Sequence, residues 1–183
     1  SNTLQVSGNL GRLLLQQGKH SVAKAVFRDT LPVQRIALGP EHEDTLDSAS
    51  SLASALENQG KFSEAEPLLR DTLAIQQRVL GERHPSTLAT ATDLAILHGK
   101  TGQYAEAEEQ SRIALAQSHR MLGPEHPQSL NMAQVLAAIL GAQGQPTETV
   151  ALLKATLATQ HRVTGPHGAR RPLFGADYMK IVF

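Results

Sequence analysis

Three histidines, His42, His84 and His126, stand 42 residues apart, and their spacing raises metal chemistry first. Successive copies in a stack of helices are separated by about 10 Å, whereas ligation needs contacts of about 2 Å. A structural role is therefore expected for them. Residues 98–102, HGKTG, contain the GKT of a phosphate loop. That motif needs a glycine five residues before Gly99, where Leu94 stands, and a preceding strand. The stretch reads instead as the end of a helix. The carboxylate pairs Glu64 with Glu66 and Glu106 with Glu108 have the residue type for acid–base work. They fall in the first turns of a helix, where negative charge is stabilised by the helix dipole. No serine or threonine nucleophile is set beside a base in a way the repeat leaves unexplained. Neither an enzyme, a cofactor nor a metal site is expected.

The elements that position these residues recur. The stretch from Leu38 to Val79 returns from Leu80 to Met121 and again from Leu122 to Val163. Aligned without gaps, the copies share Leu38, Gly39, His42, Leu46, Ala49, Leu52, Ala53, Gly60, Glu64, Leu73, Ala74 and Arg78 at a spacing of 42. Within a copy, Leu46, Ala49, Leu52, Ala53 and Leu56 fall three and four residues apart, on one face of a helix A. After the Gln59-Gly60 break, where glycine can take a left-handed conformation, Phe62, Ala65, Leu68, Leu69, Leu73, Ile75 and Val79 mark a helix B. Small residues, Ala53 and Ala65 and then Ala95 and Ala107, let A and B approach as an antiparallel hairpin. One hairpin cannot bury its own apolar face, so stacking must supply the rest.

The expected fold class is all-α, four hairpins at about 3–37, 43–79, 85–121 and 127–163 forming an array over 1–163. Thr3 and Leu4 align with Thr45 and Leu46, so the first hairpin lacks only its connector. Pro32 stands where later copies have Ala74, Ala116 and Ala158. Interior proline costs about 3 kcal/mol, which predicts a kink or break near Leu31. Pro67 lies nearer the start of its helix and Pro146 at the very start, where the cost is smaller. The pattern fails after Val163. The remainder, 164–183, reads either as a frayed end or as a cap in which Leu173, Phe174, Tyr178, Ile181 and Phe183 cover the last hairpin.

Composition narrows the function. The 183 residues carry 17 basic and 17 acidic side chains, so no net field draws the chain to nucleic acid or an anionic membrane. Aromatic residues make up 3 % and tryptophan is absent, which removes stacking platforms for single strands. Arg170 and Arg171 are the one adjacent basic pair. There is no cysteine, which suits a reducing, intracellular compartment. No apolar run approaches the roughly 18 residues of a membrane span, and SNTLQV lacks the plan of a signal peptide. The expectations are a cytoplasmic protein, a protein or peptide partner, and neither a nucleic-acid nor a membrane partner.

The connectors LGERHPSTL and LGPEHPQSL, the leucine-alanine pair and the turns GKFSEAE and GQYAEAE resemble the tetratricopeptide repeat, in the longer form found in kinesin light chains. The resemblance covers residues 3 to 163. It implies a right-handed superhelical solenoid with helix A lining a concave surface that binds extended peptides. In many members an asparagine before the leucine-alanine pair holds the peptide backbone. The matching positions here are Asn9, Ser51, Asp93 and Val135, so only the first keeps that residue. Helix phase puts Gln5, Asn9, Arg12 and Gln16 opposite the stacking leucines of the first helix A. Asp47, Ser51, Ser54 and Asn58 follow on the second, Ala89, Asp93, Ile96 and Lys100 on the third, and Asn131, Val135 and Ala138 on the fourth. The expected groove is polar at its N-terminal end and more apolar beyond. A second function class stands beside it, a structural section of a longer solenoid or of a multidomain signalling protein that associates end to end.

Overall fold

The structure is a computed structural model that describes residues 2–168 and the side chains of 3–163. Among the described residues there are eight helices: α1 (Asn2–Gln16), α2 (His20–Ala37), α3 (Glu43–Glu57), α4 (Phe62–Val79), α5 (Pro85–Lys100), α6 (Tyr104–Met121), α7 (Pro127–Ala142) and α8 (Pro146–Gly168). Odd helices are the A helices and even ones the B helices. Residues to either side of Thr90, inside α5, belong to two compact units. In the first, α1 packs on α2, α2 on α3 and α3 on α4, and α1 also meets α3. In the second, α6 packs on α7 and α7 on α8.

The helix ends follow from local chemistry. Gly60 closes α3 at a φ of +71°. Its N–H donates to the Glu57 carbonyl at 2.9 Å and that of Lys61 to Leu56 at 3.0 Å, the wrap that a left-handed residue permits after a helix. At the start of α3, α5 and α7 the histidines supply the cap. His42 Nδ1 accepts from the Asp44 N–H, His84 Nδ1 from Ser86 and His126 Nδ1 from Gln128, each at 3.2 Å. A side-chain acceptor there satisfies one of the four amides that the first turn leaves open. The structural role expected of these residues is N-capping.

The core of the first unit lies between A and B faces. Ala53, Ala65 and Leu69 are fully buried and Leu46 and Leu56 nearly so, each such leucine contributing about 2 kcal/mol by burial. In the second unit Ala95, Ala107, Leu97, Ile139 and Leu140 are fully buried.

Of the kink or break expected near Leu31, the break does not occur: α2 runs from His20 to Ala37 with Pro32 inside it. Pro67 is likewise carried within α4. Pro32 and Arg28, four residues before it, are both exposed. The lost hydrogen bond therefore lies on an exposed side of the helix rather than in the core, where an unpartnered carbonyl costs most. Helix α8 continues past Val163 to Gly168. Arg170, Arg171 and the apolar residues offered as a cap, Leu173, Phe174, Tyr178, Ile181 and Phe183, lie outside the described residues.

Candidate functional site

In the first unit, Gln5, Asn9, Arg12 and Gln16 are exposed along one face of α1. Asp47, Ser51, Ser54 and Asn58 are half-buried on α3, and Ala89 is exposed near the start of α5. Direct packing of α1 on α3 brings the first two sets together. Arg12 is the link: one nitrogen donates to Asp47 Oδ2 at 2.9 Å and the other to Asn9 Oδ1. The asparagine that the resemblance singles out is therefore engaged by a neighbouring side chain. Asn58 caps the end of α3, its Nδ2 donating to the Ser54 carbonyl at 2.9 Å.

Desolvation pushes the Asp47 carboxyl above its ordinary value, and Glu43 and Asp44 add to the rise, while Arg12 pulls it down. Helix α3 carries Glu43, Asp44, Asp47 and Glu57 and no lysine or arginine. Beneath Arg12 lies a small cleft lined by Gln5, Gly8, Phe27, Gln34, Asp44, Asp47, Ser48 and Ser51. Its volume is about 10 Å³, room for about one water, so this face presents polar groups rather than a deep receptacle.

The second unit differs. Asp93, Ile96 and Lys100 are half-buried on α5, and Asn131 is exposed on α7. Val135 and Ala138, placed on the groove by helix phase, are 8 % and 0 % exposed. Val135 packs with Ala107 and Ile139, and Ile96 leans on that cluster. Ile96 occupies the register position of Arg12, so an aliphatic contact stands where the first unit has a polar one. Helix phase assigned Val135 and Ala138 to the surface because it sees one helix at a time, and Ala107 of α6 and Ile96 of α5 cover Val135.

Sequence reasoning also missed the ion pairs of the B side. Arg112 Nε and Nη2 reach Glu108 at 2.9 Å and Glu148 at 2.8 Å, and Arg70 reaches Glu66 at 2.9 Å. The hydrogen bond from Arg112 is the main reason that the Glu108 carboxyl lies below its ordinary value. Arg78 donates to Glu41 at 2.7 Å, and Arg162 lies 3.9 Å from Glu125. The signal was in the sequence: Arg78, Arg120 and Arg162 recur with the period, and Glu41 and Glu125 do so except where Arg83 interrupts. Among the described residues no group of three or more His, Cys, Asp or Glu is placed to hold a metal ion. No helix there is long and apolar enough to cross a membrane.

Two sequence models described as tetratricopeptide repeat match the chain, one over residues 2–78 and 44–117 and the other over 129–168. No curated protein matches. Among solved structures, a kinesin light chain of Podosopora anserina with nearly identical TPR-like repeats is 32 % identical. It superposes with a TM-score of 0.77, covering 91 % of this chain and 80 % of that one. BtubC (BKLC) from P. vanneervenii shares the fold, with a TM-score of 0.78 at 18 % identity over 90 % of this chain and 65 % of that one. With all-α hairpins recurring every 42 residues and matches over most of its length, the chain belongs to the tetratricopeptide repeat family, whose repeats serve as protein-interaction scaffolds.

Proposed function

We propose that the chain binds an extended peptide or partner segment along the A-helix face of its first unit. One observation carries this reading: the Asn9–Arg12–Asp47 chain of polar contacts lies at the surface, flanked by exposed Gln5 and Gln16 and half-buried Ser51 and Ser54. These side chains offer both donors and acceptors to a peptide backbone. Arg12 is one half-exposed cation beside the acidic α3, so the face favours a segment with few acidic side chains. The proposed face does not include Val135 and Ala138, which are buried. To test this, peptides selected from a random library against the intact chain are titrated into the Asn9→Ala/Arg12→Ala/Ser51→Ala variant. A loss of about tenfold or more is expected, equivalent to one strong interface residue. Unchanged affinity for every selected peptide refutes the assignment.

A second reading, association through the outer face of the first hairpin, rests on a separate observation. Leu10 is 48 % exposed, while Leu52, Leu94 and Leu136, its register equivalents, are 9 %, 2 % and 3 % exposed. Val6 and Leu13 are also exposed beside it. A stacking face is thus presented to solvent, of the kind that marks interaction surfaces. Sedimentation equilibrium should show self-association that Leu10→Glu/Leu13→Glu removes; a monomer at every concentration sinks this reading.

A further inference from the structure

The B-helix side of the first unit contains an open groove with no assigned role. Two adjoining cavities, of about 360 and 320 Å³, run between α2 and α4 and share Arg35 and Asp71 in their walls. Each falls within the size range of ligand sites, about 300–1,000 Å³. Leu52 and Leu56 of α3 form the floor of the larger one, and Pro67 and Leu68 of α4 extend its apolar surface. The α2 wall is cationic, with Lys24, Arg28 and Arg35.

The second unit shows what usually occupies this place. In register, Arg112 corresponds to Arg28, Glu108 to Lys24 and Glu148 to Glu64. Arg112 binds Glu108 on its own helix and reaches Glu148 on the next B helix, strapping α6 to α8. In the first unit both carboxylates are lost to Arg28. Lys24 replaces the first and donates instead to Gln59 Oε1 at 2.9 Å. Glu64 is taken by Lys61 at 3.4 Å, where the second unit has Gln145. Among the described residues neither Arg28 nor Arg35 has a side-chain hydrogen-bond or ion-pair partner, and both are exposed. The strap is absent and its guanidinium is vacant above an apolar floor.

We propose that this groove is a second binding site, whose ligand is a short acidic protein segment that places an aliphatic side chain on Leu52, Leu56 and Leu68 and carboxylates on Arg28 and Arg35. The two arginines are seven residues apart on α2, about 10 Å along the axis at 1.5 Å per residue. An extended ligand covers that distance in about three residues, which sets the spacing of its acidic side chains. Arginine suits the role because its fork binds carboxylate in two parallel hydrogen bonds. Asp71 and Glu64 on the opposite wall oppose an acidic ligand and hold the affinity down, Glu64 less so because Lys61 pairs with it.

The test uses the intact chain and a fluorescein-labelled peptide with a leucine between two glutamates three residues apart, read by anisotropy. Saturable binding is expected, weakened about tenfold or more in Arg28→Gln/Arg35→Gln and tightened in Asp71→Asn. Lys24→Glu, which gives Arg28 the intrahelical partner of Arg112, should also weaken it. The Asn9→Ala/Arg12→Ala variant should bind the probe as the parent does, which separates this site from the A-helix face. No saturable binding, equal binding of the glutamine version of the probe, or an unchanged affinity in the double arginine variant overturns the proposal. Equal competition by a single-stranded oligonucleotide overturns it as well, in favour of unspecific attraction of anions. Dimerisation through the same arginines would replace the peptide with a second copy and likewise end it.

Discussion

Gly11 and Phe27 show how one repeat position trades with another. A Cβ built on Gly11 would lie 2.4 Å from Phe27 Cζ and 2.8 Å from both Cε atoms, and the ring is 1 % exposed. In the next copy the same two positions are Ala53 and Leu69, and then Ala95 and Ser111. Only the hairpin with the phenylalanine lacks the methyl. Alanine favours a helix over glycine by about 1 kcal/mol, yet Gly11→Ala should destabilise the chain by about 1–3 kcal/mol because an overpacked ring must move. Gly11→Ala combined with Phe27→Leu should recover much of that loss. Chemical denaturation of the two single variants and the double variant measures the coupling; strictly additive effects would mean that ring and methyl do not compete. Asp47 supports a second prediction at this scale. Its carboxyl is raised by desolvation, against Arg12 on α1 and with Glu43 and Asp44 on its own helix. The folded state thus holds the proton more tightly than the unfolded chain. The associated stability is fully present below the ordinary aspartate range and is lost as pH rises through the raised pKa. Asp47→Asn should flatten the fall in urea midpoint just above about pH 4, and an unaltered slope would contradict this sign.

At the scale of the helix, the recurrent histidines gain a physical role. Each Nδ1 accepts an amide two residues on, so His126→Ala should lower stability by about 1 kcal/mol, whereas His126→Asn, with a good capping oxygen, should keep most of it. Thermal melts of the two variants distinguish capping from mere bulk, since bulk alone would penalise both. The position of these caps was legible, because connector, proline and histidine recur together, but the acceptor geometry was not. The turns between helices were legible for a related reason: a glycine at positive φ follows each helix from α1 to α7, whereas nothing local marked the end of α8. What stayed hidden depends on two elements at once. A kink or break was expected near Leu31, yet α2 runs unbroken through Pro32, an interior proline on an exposed side of its helix. Val135 and Ala138 were placed on the groove by their helix phase; Val135 packs instead into a cluster with Ile96 and Ala107, and Ala138 is fully buried. The groove of Arg28 and Arg35 was invisible for the same reason, since it is defined by two B helices and the A helix beneath them.

For the molecule as a whole, a repeat array derives its stability from each hairpin and from the interface with its neighbours, so protection should differ between equivalent helices. The apolar stripe Val6, Leu10 and Leu13 of α1 is 60 %, 48 % and 50 % exposed. Its register equivalents in α3, Ser48, Leu52 and Ala55, are 3 %, 9 % and 0 % exposed. Burial of such side chains is worth about 1.5–3 kcal/mol each when large and apolar, and α1 forgoes part of it. Its opening should therefore require less free energy than that of α3, by sub-global unfolding rather than by global unfolding. Native-state hydrogen exchange should show the amides of α1 exchanging about tenfold or more faster than their register equivalents in α3, a gap that corresponds to about 1.4 kcal/mol. If the first hairpin associates through this stripe, the gap should close as protein concentration rises and should reopen in Leu10→Glu/Leu13→Glu. Equal protection of the two helices in a monomer would mean that the exposed leucines cost the helix nothing, and the neighbour-by-neighbour account of stability would fail at the place where it is most easily measured.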